Sequence, residues 1–169
     1  NPNNPLSSTV SIISRDSKGR LIVSPDSLKK SLSTYINEYR LISDSIDIVD
    51  ASIVNIGIEY GVVIDAVSNK NLTIQNINKA LSEYMKIENF QIDQPLITSD
   101  LISLIINTKG VISLVDFSVN NLSGIINERP YSFESFSIVA NTDRGIIRPP
   151  TGAIFEVKFP NDDIVGYTR

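Results

Sequence analysis

Between Val54 and Ile64 the even positions Val54, Ile56, Ile58, Tyr60, Val62 and Ile64 are all apolar, whereas the odd positions Asn55, Gly57, Glu59 and Gly61 are polar or small. A repeat of two is the signature of a half-buried strand. It predicts one core face and sends Asn55 and Glu59 the other way, toward solvent or a partner surface.

Upstream, Thr9 to Ile13 and Arg20 to Val23 read as a hairpin closed through Arg15 to Gly19, with Gly19 free to take a positive φ. Ser24-Pro25-Asp26 then reads as a helix start: Ser24 as cap, Pro25 at the first helical position and Asp26 at the positive end of the dipole. Leu28, Leu32, Tyr35, Ile36 and Tyr39 follow at helical spacing.

After the long strand, Asn71 or Thr73 opens a second helix, with Ile74, Ile77, Leu81, Tyr84 and Met85 on one side and Asn78, Lys79, Ser82 and Glu83 on the other. A third begins after Pro95 with Thr98 or Ser99 as cap, runs through Asp100 to Ile106 and stops at Gly110. Val111 to Val119 then alternates as a strand in which Val111, Val115, Phe117 and Val119 share a face. The order strand, helix, helix, strand predicts an α+β fold, two to three helices packed on a largely antiparallel sheet. A β-rich C-terminal region follows, with strands at Ser132 to Ala140 and Ala153 to Phe159 broken by Arg148 to Gly152. The expected divisions are a linker and hairpin over 1–23, a core domain over 24–121 and a C-terminal region over 122–169 packed on the same domain. Tyr131, Phe133 and Phe136 are expected in the core, with Tyr131 and Phe133 on one face.

Composition narrows the chemistry. The 169 residues are enough for a sizeable core. Charged residues make up 20%, and 15 basic against 19 acidic side chains give a net charge of -4 without a basic cluster among aromatics, so nucleic acid is not an expected partner. The longest apolar runs fall far short of a membrane span. The turn-rich start Asn1 to Pro5, without Met, reads as a linker cut from a longer polypeptide.

Neither Cys nor His occurs, which removes the thiolate and imidazole from the nucleophile and metal-ligand sets; a Ser and Lys pairing stays open on arithmetic alone. Asp44, Asp47 and Asp50 have a spacing that offers carboxylates to Ca²⁺, but residues three apart on a strand face opposite ways, so solvated acids explain them better. Turn chemistry likewise accounts for Asp162-Asp163 after Pro160. A glycosidase pair fits poorly in a chain with no Trp and 7% aromatics. Gly57 and Gly61 within a strand read as places of close approach rather than a phosphate loop. Arg144, Arg148, Pro149 and Pro150 read either as a stiff arm gripping a neighbour or as a short surface loop. The expected site residues are therefore interface residues, Asn55, Glu59, Arg144, Arg148, Pro149 and Pro150, with no catalytic, cofactor-binding or metal set.

Three stretches, YRLISDSIDIVDASIVNIGIEYGVVI at 39–64, IENFQIDQPLITSDLISLIINTKGVISLVDFSV at 87–119 and IFEVKFPNDDIVG at 154–166, resemble in sequence and order the C-terminal part of the baseplate wedge proteins of T4-like contractile-tailed phages, in the baseplate J-like family. The family's Asn-Gln-Pro turn reads here Asp93-Gln94-Pro95. The resemblance implies a structural, non-enzymatic subunit of the virion tail baseplate, made in the bacterial host cytoplasm. Its partners would be copies of itself, as dimer or ring, and other wedge components, with no cofactor, membrane or small-molecule substrate. It would take part in rearrangement of the plate when the sheath contracts. The other classes open at this point are a tail-associated cell-wall hydrolase and a carbohydrate-binding module.

Overall fold

The structure, a computed structural model, describes residues 7–39 and 45–169. Asn1 to Pro5 and Asp44 of the acidic spacing lie outside the described residues. The chain divides into two compact units, Asn1–Ser52 and Ile53–Arg169. The first helix falls in the unit of the strand that follows it, apart from the long strand with which the expected division at 23 groups it, and residues 122–169 fall in the unit of the long strand.

In the first unit, β1 (Ser7–Ile12) is followed by a small hairpin of β2 (Ser14–Arg15) and β3 (Leu21–Ile22), then α1 (Asp26–Tyr39) and β4 (Ser45–Asp50). The hairpin is real but shorter than expected. Asp16 accepts backbone bonds from Lys18 (2.8 Å) and Arg20 (2.9 Å) and pairs with the Arg20 guanidinium, while Gly19 takes φ +80°, so the turn closes at Arg15 opposite Leu21. Residues Thr9 to Ile12 instead pair in parallel with β4, from Ser7 opposite Ser45 to Ile12 opposite Asp50. Parallel neighbours need a crossover of a dozen residues or more, which α1 supplies. The helix packs on β4 and Lys29 bridges Asp26 (2.9 Å) and Asp50 (2.7 Å). Ser24 is buried, and its hydroxyl shares a 2.9 Å bond with that of Ser14.

The second unit is organised on β5 (Ser52–Ile64). The remaining elements, in order, are α2 (Lys70–Tyr84), β6 (Leu96–Ile97), α3 (Thr98–Ile106), β7 (Val111–Asn121), β8 (Ile125–Ile126) and β9 (Arg129–Pro130). Then come β10 (Thr142–Asp143), β11 (Ile146–Ile147), β12 (Ala153–Glu156), α4 (Pro160–Asp163) and β13 (Ile164–Thr168). The class is α+β. The central sheet is mixed: β7 runs antiparallel to β5 from Ile56 opposite Asn121 to Ile64 opposite Val111, β13 runs parallel from Ile164 opposite Ile58 to Thr168 opposite Val62, and β12 also joins β5.

The even positions of β5 form the core, with Val54, Ile56, Ile58, Tyr60 and Val62 fully buried, as are Ile77 and Leu81 of α2 and Leu101 and Ile105 of α3. Each large apolar side chain so buried stabilises the fold by about 2 kcal/mol. Asn69 caps α2 by accepting from the Leu72 N–H (3.1 Å), two residues ahead of the expected start. No side-chain cap is made at α3; the Thr98 hydroxyl donates instead to the Gly145 carbonyl (2.8 Å), which docks the β10–β11 hairpin. The helix ends at Ile106, before the expected stop: Gly110, at φ +95°, lies in the turn that leads into β7, and a Cβ there would meet the Ser68 hydroxyl at 2.9 Å. The alternation expected along β7 is interrupted. Its pairing with β5 shifts between Gly61 and Val62, where Val115 is passed over, so Val115 is exposed and Leu114 turns inward.

Two expectations for the C-terminal region fail. Ser132 to Ala140 forms no strand, and Phe133 is 88% exposed while Tyr131 and Phe136 are buried. The cause is that side chains capture the backbone: Asn55 accepts from the Ser132 N–H (2.7 Å) and Asn121 from the Phe136 N–H (2.9 Å), in place of a strand ladder. The second strand is shorter than expected, ending at Glu156. No helix among the described residues is long and apolar enough to cross a membrane.

Candidate functional site

The odd positions of β5 form the outer face of the sheet, and the strand register places its neighbours in rows. Val165, Glu59 and Ser118 make one row; Tyr167, Gly61 and Asp116 make the next. The Tyr167 ring lies across Gly61, where a Cβ would stand 2.7 Å from it, and its hydroxyl donates to Asp116 (2.7 Å). That bond is the main reason the Tyr167 phenol is held above its ordinary pKa. On the core face the relation is reversed. The Tyr60 ring covers Gly166, its partner in register, and its hydroxyl donates to Asn78 of α2 (2.6 Å). Each tyrosine thus fills the space that the facing glycine leaves open.

The rows at and below Glu59 open into a cleft of about 460 Å³. Gly57, Glu59, Asn120 and Leu122 form its floor; Ile126, Asn127, Arg129 and Tyr131 stand on the β8–β9 side, and Asp162, Asp163 and Val165 on the other. The β8–β9 hairpin is closed by Asn127 and Glu128, both in the left-handed region at φ 49° and 64°, which matches the twist of a two-residue hairpin loop. Arg129 beyond it pairs with Asp162 and lies 5.1 Å over the Phe159 ring. Tyr131 meets the same ring edge to face at 5.5 Å.

Asp163 is almost wholly buried and fully engaged. One carboxylate oxygen accepts from the Tyr131 hydroxyl (2.6 Å), the other from the Phe159 N–H (2.7 Å). Burial nevertheless holds its carboxyl above the usual carboxylate range, outweighing those two bonds and nearby Arg129. The Tyr131 phenol is raised as well, by burial first and by Asp163 second. These groups fix the cleft wall. Glu59 differs, being exposed, with no hydrogen bond or ion pair to its carboxylate among the described residues.

The expected interface residues do not come together. Glu59 stands in the cleft. Asn55, four residues earlier on the same face, is 0% exposed rather than turned to solvent: its amide donates to Glu156 (2.8 Å), its side-chain oxygen accepts from Ser132 N–H, and its carbonyl accepts from Leu122 N–H (2.9 Å) and the Asn121 amide (3.0 Å). Partners far along the chain seal it, so it holds the fold and presents no contact surface. Arg144 sits at the exposed tip of the β10–β11 hairpin at φ +50°, beside Gly145 at +80°. Arg148, Pro149 and Pro150 lead into a fastened turn, not a free arm. The Ala153 N–H donates to the Pro150 carbonyl (3.0 Å), and the Asp93 carboxylate accepts from Gly152 N–H (2.6 Å). Asp93 itself takes φ +65°, a conformation that Asn and Asp tolerate best among non-glycine residues.

Of the acids considered as metal ligands, Asp50 pairs with Lys29, Asp162 with Arg129, and Asp163 with Tyr131 and Phe159. Among the described residues no group of three His, Cys, Asp or Glu side chains is placed to hold a metal. No protein-family model and no curated protein matches the chain, so its functional reading rests on its own segments and geometry.

Proposed function

We propose that the chain is a structural part of a contractile-tail baseplate wedge that works by binding copies of itself and neighbouring wedge components in the virion, without catalysis. One observation carries this reading. Of the three stretches that resemble baseplate J-like wedge proteins, 39–64 runs from β4 of the first unit into β5 of the second, 87–119 supplies α3 with β7, and 154–166 supplies most of β12 with α4 and the start of β13. They are far apart in sequence yet adjoin in the one sheet. Parts of all three thus meet in the second unit. The buried acids also support it, since Asp163 and Glu156 serve bonds that tie this unit together. Ring assembly needs repeated interfaces between copies. The test is tail assembly with residues 53–169 deleted from the gene. Defective baseplates and lost infectivity are expected; normal infective particles would overturn the proposal.

A further inference from the structure

We infer that the outer-face cleft is a receptor for one arginine side chain presented by a projecting loop of a neighbouring protein, with the Glu59 carboxylate as its anchor. The inference rests on the assembly reading for its setting only; the cleft argues the chemistry. The other ionisable side chains that line it have partners. Arg129 is taken by Asp162, and both oxygens of Asp163 are used by Tyr131 and Phe159. Glu59 remains, exposed on the floor and free of bonds among the described residues, leaving local negative charge that attracts a cation.

The shape of the site selects which cation. Leu122, Ile126 and Val165 line the approach to Glu59, and Val165 stands in register directly beside it. Gly57, one row along, contributes no side chain. A long amphipathic cation buries its methylene stem on such apolar residues while its head meets the carboxylate. Asn120 on the floor and Asn127 on the β8–β9 side are amide residues that can offer further acceptors. A planar guanidinium, with five fixed donors, serves one carboxylate in two-pronged fashion and still reaches the amides, which the point charge of an ammonium does less well.

The test titrates the ¹⁵N-labelled chain with N-acetyl-arginine methylamide and follows backbone amide shifts. Saturable shifts at Gly57, Glu59, Asn120 and Val165 are expected, weakened roughly tenfold in Glu59→Gln because the charged partner is gone. Asp143→Asn, which removes the same charge outside the cleft, should bind as the parent does, and the neutral citrulline analogue should give no saturable shift. Equal binding by the citrulline analogue, unchanged affinity in Glu59→Gln, or no saturable shift at these residues would each overturn the inference. None of these results bears on whether deletion abolishes tail assembly. The two proposals therefore fail separately.

Discussion

Asn55 and Glu59 lie on the same face of one strand, four residues apart, and have opposite fates. Asn55 is sealed by Ser132, Asn121, Leu122 and Glu156, every one of them more than sixty residues away in sequence. Glu59 lies open, with Val165 and Ser118 beside it in register. A repeat of two assigns a side chain to a face; what covers that face is decided by distant chain. The sealed end keeps the unit folded, and the open end is available for contact.

The comparison can be broken most severely at its sealed end. Asn55→Ala deprives Glu156 of one donor and the Ser132 N–H of its acceptor, so we expect a loss of about 3 kcal/mol in urea denaturation. Gly166→Ala puts a methyl group into the Tyr60 ring and should cost about 2 kcal/mol by the same measurement. At the open end, Glu59→Gln should change stability by no more than about 0.5 kcal/mol, since the side chain is exposed and unbonded among the described residues.

Between the two ends stands Asp163, where pH separates burial from exposure. Its folded pKa is raised, so its contribution to stability is present below the ordinary value of 3.8 and is lost as pH rises through the raised folded value. Asp16, held below its ordinary value chiefly by the backbone bond from Arg20, behaves oppositely: its contribution is present above 3.8 and is lost as pH falls through the folded value. Asp163→Asn removes the first effect only. Denaturation curves from about pH 4 to about pH 7 should therefore show the variant gaining on the parent as pH rises.

Much of the framework was legible because it rests on local signals. The apolar face of β5 and the stripes of α2 and α3 each repeat within one element. Asp93 in the left-handed region explains why this turn suits Asn or Asp. The site was less legible. The bulge that turns Val115 out depends on β5, and Phe133 is exposed because Asn55 and Asn121 capture the surrounding backbone. The strand β13 went unforeseen, being five residues with a glycine inside. One signal pointed to it: Tyr60-Gly61 and Gly166-Tyr167 are mirror-image dipeptides, and parallel pairing sets each tyrosine against the other's glycine. Asp163 carried no comparable mark, since its burial depends on Tyr131 reaching it from the far side of the cleft.

Carboxyl labelling read by mass spectrometry, on the free chain and on assembled tail particles, tests most directly whether the open end of β5 is a contact surface. Glu59 should label readily in the free chain and be protected in the particle, while Glu156 stays protected in both. Equal labelling of Glu59 in the two states would contradict the account.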